Sequence, residues 1–144
     1  AAEIKAKVLS NRKPPYSVAG GLFDALKDTD GRMYKVSNSE LEFWKDLPTT
    51  WDQTEFLSGE IGESAVVARR KGNTWYVGGI TNTNARNIGV DLGFLGKGKY
   101  IASIYTDNKD ASVSITTKTV TASTHLDFNL LPSGGFDIKI VPAK

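Results

Sequence analysis

The sequence predicts a mainly β protein: an antiparallel β-sandwich preceded by one or two short helices. From Thr54 onward, apolar and polar residues alternate with a period of two, which is typical of strands with one buried face. Turns rich in Gly, Asn or Asp separate these segments at a spacing of roughly 8–12 residues, as in antiparallel sandwiches and barrels. The sequence lacks the alternation of strands and long helices that marks a parallel sheet. We therefore expect the sandwich to run from about Thr54 to Val141.

The first 48 residues follow a different pattern. Gly21–Lys27 places three large apolar residues at helical spacing, which predicts a short helix. Ser39–Leu47 predicts a second helix, with a serine to cap its start and Pro48 to end it. We therefore divide the chain into an N-terminal loop and helical segment, residues 1–48, and an antiparallel β-sandwich domain, residues 49–144.

A predicted β-hairpin forms the centre of the second part. Ser64–Arg70 and Thr74–Thr81 are rich in Val, Ile, Trp and Tyr, and a turn containing Gly72 separates them. The first strand is apolar on both faces until Arg69, which predicts a position inside a sheet or between layers. Further strands are predicted where apolar residues alternate: Ile88–Phe94, Tyr100–Tyr105, Val113–Ile115, Leu126–Leu130 and Phe136–Ile140.

A series of short segments from Pro48 onward forms a recognisable pattern. In order, they are Pro48–Thr54, Gly59–Glu63, Ala68–Gly72, Trp75–Asn82, Asn84–Arg86, Asp91–Leu95, Gly98–Tyr100, Tyr105–Asp107 and Pro132–Phe136. The pattern resembles the C-terminal domain of glycoside hydrolase family 97. Each segment is weak alone, but the whole series occurs in the correct order, and the resemblance covers roughly Leu41 to the end of the chain.

The resemblance implies a bacterial, periplasmic or secreted enzyme, an α-glucosidase or α-galactosidase. Such enzymes have a β-sandwich, a catalytic (β/α) barrel and a C-terminal β-sandwich. On this match the chain is the last module, with residues 1–48 a candidate for the tail of the barrel. The implied function is that of a non-catalytic accessory module, which packs on the barrel or mediates oligomer contacts.

The N-terminal segment supports a partner surface of this kind. Its apolar residues are more than one or two short helices can cover, and such surfaces mark sites of contact. The expected partners are the catalytic barrel or another copy of the chain. The apolar residues concerned are Leu22, Phe23, Leu26, Met33, Tyr34, Leu41, Phe43, Trp44 and Leu47.

An alternative function is an independent carbohydrate-binding module that targets oligo- or polysaccharide. Such modules stack sugar rings on exposed aromatic faces and bind hydroxyl groups with nearby polar side chains. Trp and Tyr also dominate protein cores, and adjacent residues of a strand face opposite sides, so we expect Trp75 or Tyr76 to lie in the core. The candidate platform is Trp44, Trp51, Trp75 and Tyr76, and the candidate polar residues are Asn82, Asn84 and Arg86.

Catalytic residues are not predicted. Glycoside hydrolysis needs two carboxyl groups about 5–10 Å apart across one bond. The resemblance implies that the catalytic glutamates and calcium ligands lie upstream, in the barrel, so no catalytic role is assigned within this chain. The carboxylates closest to such a pair in sequence are Asp52, Glu55, Glu60 and Glu63, and charged residues at turns and strand ends are usually only solvated.

Metal and cofactor sites are not predicted either. His125 is the single histidine, cysteine is absent, and the alternation of its strand places His125 on the solvent face. Gly93–Tyr100 resembles a phosphate-binding loop, but Tyr100 replaces the Ser or Thr that would bind magnesium. Asp28–Gly31 resembles part of a calcium loop whose required first and last carboxylates are missing.

The composition excludes two further classes of partner. The net charge is only +2, and the basic residues are scattered along the chain, so a nucleic-acid partner is not expected. No apolar stretch has the length needed to cross a bilayer.

Overall fold

A computed structural model describes residues 43, 45–110 and 112–144. These residues form a mainly β fold, as predicted. The helix predicted at Gly21–Lys27 lies outside the described residues, and the one at Ser39–Leu47 lies largely outside them, so both stay predictions. The strands are β1 Gln53–Glu60, β2 Ser64–Lys71, β3 Thr74–Thr81, β4 Arg86–Asp91, β5 Tyr100–Asp107, β6 Val113–Val120, β7 His125–Leu130 and β8 Gly135–Pro142.

The strands form two antiparallel sheets. A six-stranded sheet has the order β1-β2-β3-β8-β5-β6, and a two-stranded sheet pairs β4 with β7. The predicted central hairpin is β2–β3, which pairs in register from Ser64↔Thr81 to Lys71↔Thr74. Its turn requires Gly72, whose φ of 57° is a left-handed conformation that glycine adopts without steric cost. Both hairpin strands have a neighbouring strand on each side in the large sheet. The apolar sequence of the first hairpin strand, β2, predicted this interior position.

The main core lies on one side of the large sheet, which we call its inner face. Residues of both sheets contribute to it, and Phe128 of β7 stacks on Phe136 of β8 at 3.8 Å between ring centres. The Phe136 ring lies across Gly79, where an added Cβ would meet a ring carbon at 2.2 Å. The most deeply buried core residues are Val66, Ala68, Val77, Val90, Leu92, Ala102, Val120, Phe136, Ile138 and Ile140.

The opposite side of the large sheet, its outer face, carries a second and smaller apolar cluster. Phe43, Tyr76 and Tyr105 are its buried members, and Leu47, Trp51 and Val113 pack against them. Residues 43 and 45–51, which we call the strap, therefore cover part of the outer face. In the part of the chain that the structure describes, no helix has the length and apolar character that a bilayer crossing requires.

Candidate interface on the outer face of the large sheet

Three neighbouring strands position the side chains of this site. Tyr76 of β3 is the register partner of Lys139 of β8, and Tyr105 of β5 is the partner of Asp137. Because side chains alternate between the two faces of a strand, these four residues all point to the outer face. Asp137 and Tyr76 are buried there, with 0% and 4% of their surface exposed, although they lie on the side away from the main core.

The strap buries its aromatic side chains against this face. Phe43 is 1% exposed and lies edge-on to Tyr105 and Tyr76, with ring centres 5.1 Å and 5.9 Å away. Trp51 also lies edge-on to Tyr76, with ring centres 5.4 Å apart. Burial of one such side chain contributes about 1.5–3 kcal/mol, and each aromatic pair adds about 0.5–1.5 kcal/mol. Apolar packing therefore holds the strap on the sheet.

Polar contacts fix the position of the strap. The Tyr76 hydroxyl donates to the carbonyl oxygen of Asp46 at 3.1 Å, and the Lys139 ammonium donates to the Asp46 carboxylate at 2.9 Å. The hydrogen bond and charge of Lys139 lower the pKa of Asp46. Burial raises the pKa of Tyr76. Asp46 is largely exposed, so its ion pair contributes little to stability and serves mainly to align the strap with β8.

The residue that follows the strap, Asp52, is joined to the β2–β3 turn. Asp52 accepts hydrogen bonds from the backbone N–H of Gly72 at 2.8 Å and from the Lys71 ammonium at 3.2 Å, and both contacts lower the pKa of Asp52. The Arg69 guanidinium lies over the Trp51 ring at 5.7 Å. The contacts of Trp51 with Arg69 and of Asp52 with the β2–β3 turn therefore fix the direction in which the chain enters β1.

The structure disperses the residues that the sequence predicts for sugar binding. Trp44 lies outside the described residues, and Trp51 is half-buried between Arg69 and Tyr76. Trp75 and Tyr76 are both buried, Trp75 in the main core and Tyr76 in the outer cluster. The sequence predicted one of the two in the core. Both are buried because the large sheet is covered on both faces, so neither presents an open ring face to a sugar.

The predicted polar residues lie near the opposite end of β3 from Tyr76. The Asn82 amide donates to the carbonyl oxygen of Gly62 at 3.0 Å, and its oxygen accepts from the Asn84 backbone N–H at 3.0 Å. Arg86 forms an ion pair with Glu63 at 2.9 Å. The Asn82 and Arg86 side chains therefore fasten the β1–β2 turn to the segment after β3, with Asn84 joined to Asn82 through its backbone N–H. The three residues do not surround the aromatic candidates.

The sequence pattern assigns no role to Asp46, Tyr105 or Lys139. One signal could have identified the outer face, since β5 carries apolar or aromatic residues on both sides, as β2 does. A strand apolar on both faces predicts a second buried surface. The residue that covers Tyr105 is Phe43, which the sequence noted only as part of an apolar surface.

A separate polar cluster lies on the exposed side of the small sheet. His125 lies on the solvent face, as the sequence predicted. Its Nδ1 lies 2.6 Å from Asp91 and its Nε2 lies 3.1 Å from Asp127. The hydrogen bonds to Asp91 and then Asp127 raise the pKa of His125, because both carboxylates favour the imidazolium.

This pKa shift predicts a pH dependence of stability. A raised folded-state pKa stabilises the fold fully below the unfolded pKa, which is about 6.5, and the contribution is lost as the pH rises through the folded pKa. The free energy of unfolding of the wild type should therefore approach that of His125→Gln as the pH rises from below about 6.5 through the raised pKa of His125. Urea unfolding at a series of pH values measures this free energy for both proteins. A difference between the wild type and His125→Gln that stays constant with pH would contradict the prediction.

Comparisons with known proteins identify the family. Residues 50–141 match the model described as glycosyl-hydrolase 97 C-terminal, oligomerisation. The chain is 38% identical over 130 residues to a retaining α-galactosidase of Bacteroides thetaiotaomicron, a match that covers 87% of this chain and 20% of that enzyme. A family 97 glycoside hydrolase from Pseudoalteromonas sp. strain K8, solved with acarbose, matches with a TM-score of 0.70 and 36% identity. That match covers 75% of this chain and 19% of the enzyme.

A shorter similarity is of a different kind. The cysteate synthase of Methanosarcina acetivorans is 68% identical over 38 residues, which is 26% of this chain and 9% of that protein. A match over about a quarter of the chain does not assign a family. The family 97 matches span most of the chain but only about a fifth of each relative. They confirm the resemblance stated above: the chain belongs to glycoside hydrolase family 97, and its residues 50–141 form the C-terminal domain of that family.

Proposed function

We propose that this chain is a non-catalytic accessory module of a glycoside hydrolase, and that its outer face packs against the preceding part of the parent protein. The burial of Phe43 against Tyr76 and Tyr105 carries the proposal. Phe43, the first residue that the structure describes, is already seated on this face, which supports this surface as the one that meets the preceding part of the parent protein. Such apolar surfaces beside a covalent connection favour packing between domains.

The module that we propose is a β-sandwich of residues 49–144 together with the part of the strap that precedes it. Its two layers would be the large and the small sheet, which share one core and meet where Phe128 stacks on Phe136. The strap would belong to the same folded unit, since Phe43 and Leu47 pack on the large sheet. The separate N-terminal segment would then end before Phe43.

The carboxylates of the described residues support a non-catalytic role. Asp52 binds the β2–β3 turn through Gly72, and Glu63 is paired with Arg86. The side-chain amide of Gln53 donates to Glu55 at 2.7 Å. These groups have structural partners, whereas glycoside hydrolysis needs two carboxyl groups facing one bond.

We expect no hydrolysis of aryl α-glucosides or aryl α-galactosides by the isolated chain, even at high protein concentration. The release of the aryl group measures turnover. Asp52→Asn and Glu63→Gln are the informative variants, because each removes one carboxylate at little change in size. Turnover by the wild type that either variant abolishes would refute the non-catalytic role.

Contacts between copies form the second part of the proposal. The description of the matching family model names oligomerisation, which supports a role in assembly as well as in packing on the parent enzyme. The carbohydrate-binding alternative has no such support. The burial of Trp75 and Tyr76 further removes two of its four aromatic candidates.

We expect little retardation of the chain in affinity gels that contain starch, dextran or galactomannan. Exposed aromatic rings are needed to stack on sugars, and of the described candidates only Trp51 is more than slightly exposed. Migration relative to a gel without polysaccharide measures binding. Strong retardation that Trp51→Ala abolishes would establish a carbohydrate-binding module instead.

A further inference from the structure

One corner of the outer face has exposed apolar side chains that the strap does not cover. Among the described residues, the exposed large apolar side chains are Phe56 at 67%, Ile61, which is fully exposed, and Ile115 at 45%. Phe56 belongs to β1, and Ile61 lies at the tip of the β1–β2 turn. We call these two residues and the pocket beside them the β1–β2 corner. Exposed apolar side chains that form one contiguous patch mark contact surfaces, and Phe56 and Ile61 line the same pocket.

The corner contains a pocket of about 400 Å3 next to the exposed side chains. Ala65 of β2 and Ile80 of β3 are register partners that line it. Phe56 and Ile61 stand at the same pocket. An apolar projection and an apolar recess therefore lie side by side on one patch.

The turn that carries Ile61 is held in place by hydrogen bonds. The backbone N–H of Glu63 donates to the carbonyl oxygen of Glu60 at 3.0 Å, and the N–H of Asn82 donates to the carbonyl oxygen of Glu63 at 2.8 Å. The Asn82 amide also binds Gly62. A side chain on a pre-ordered turn loses little conformational freedom when it binds a partner.

The partner that fits this corner is a second copy of the chain. A two-fold contact uses the same patch on both subunits, so the patch must be complementary to itself. A projecting Ile61 beside an apolar pocket meets that requirement. The description of the family model as an oligomerisation domain points to the same kind of partner.

The location of the corner also favours a second copy over the preceding part of the parent protein. The strap reaches the sheet at Tyr76, near the start of β3, whereas the pocket lies at Ile80, near its end. Four residues of strand separate these positions by about 13 Å. Side chains rather than strand edges would make the contact, because the register of β1 shifts between Phe56 and Ser58 and such bulges interrupt pairing at an edge.

The charges at the corner are compatible with contact between identical surfaces. Glu63 is paired with Arg86, which leaves Glu60 as the acidic group of the pocket rim without an ion pair among the described residues. Like charges facing each other across a two-fold axis oppose association. One such group on each copy weakens the contact and does not prevent it.

We propose that two copies of this chain associate through the β1–β2 corner, with Ile61 of each copy seated in the pocket of the other. The inference rests on the proposed contact-forming role and specifies its partner and surface. The contact is smaller than a standard interface, so the isolated chain should associate weakly and reversibly. In the parent protein the same contact would join two enzymes.

Sedimentation equilibrium of the full 144-residue chain tests this proposal. The wild type should form dimers at high concentration, and Ile61→Ser should weaken dimerisation by roughly 10- to 30-fold, the effect of removing a central anchor. Phe56→Ser should act in the same direction. Ile115→Ser is the matched control, since it removes an exposed apolar side chain from the opposite edge strand, β6, and should leave the dimer unchanged. All three side chains are exposed, so the variants are expected to stay folded.

Three outcomes would overturn the proposal. They are a wild type that stays monomeric at high concentration, dimers that Ile61→Ser leaves unchanged, and equal weakening by Ile115→Ser. Dimers that survive Ile61→Ser but dissociate in Trp44→Ala would place the contact in the N-terminal segment. Backbone amide shifts on dilution should change around the β1–β2 turn. These measurements do not involve Phe43, so a failure of the corner leaves the packing role of the strap standing.

Discussion

Replacement of Phe43 by alanine is expected to lower the free energy of unfolding by about 3 kcal/mol. Phe43 is 1% exposed and fills the space between Tyr76 and Tyr105, so its removal leaves a cavity under the strap. We expect the lower end of the range for buried phenylalanine, because the strap can detach without unfolding the sheets. Urea unfolding gives the change in free energy, and binding of a hydrophobic dye should rise as the outer face opens.

Phe56→Ala is the matched control for this prediction. It makes the same chemical change on the same face at a side chain that is 67% exposed, where the loss should stay within about 0.5 kcal/mol. Equal effects of the two variants, or a stable Phe43→Ala that binds no dye, would mean that the strap does not seal the outer face.

Replacement of Phe136 by alanine should have the largest effect, a loss of about 4–5 kcal/mol. Phe136 has none of its surface exposed, and its ring lies between Phe128 and Gly79. Its removal leaves a cavity where the two sheets meet. Urea unfolding measures the loss, and a change below about 1 kcal/mol would contradict the described core.

A second variant tests the same contact from the other side. Gly79→Ala should cost about 1–3 kcal/mol in the wild type, because the added methyl group overlaps the Phe136 ring. In the Phe136→Ala background the methyl group enters the new cavity, so this cost should disappear. Additive effects of the two changes would show that the ring does not lie over Gly79.

The period of the sequence was enough to locate the strands but not their arrangement, and it ended one of them too early, since β6 was predicted over Val113–Ile115 and runs to Val120. Alternation at β4 and β7 marks both as half-buried, yet nothing local indicates that they pair with each other as a separate sheet. Pairing joins residues that are distant in the chain, such as Asp91 and His125, and short-range patterns do not encode it. The sequence therefore shows Asp127 as a neighbour of His125, because only two residues separate them. It does not show Asp91, which reaches His125 only through the pairing of β4 with β7.

The candidate site was harder to predict than the fold. Alternation placed Trp75 and Tyr76 on opposite faces of β3 but could not say what covers each face. Tyr76 is buried by Phe43 and Trp51, and that contact depends on the path of the strap rather than on β3 itself. The motifs that resemble family 97 were more informative, because they identified the domain without predicting any contact.

The most direct test of the outer-face packing is a nuclear Overhauser spectrum of the labelled 144-residue chain. The centre of the Phe43 ring lies 5.1 Å from that of Tyr105 and 5.9 Å from that of Tyr76, so the ring protons should give cross-peaks to both tyrosines. Cross-peaks to both would establish that the chain entering the domain is seated on the outer face. Their absence in a spectrum that resolves the Phe128–Phe136 contact would contradict this account.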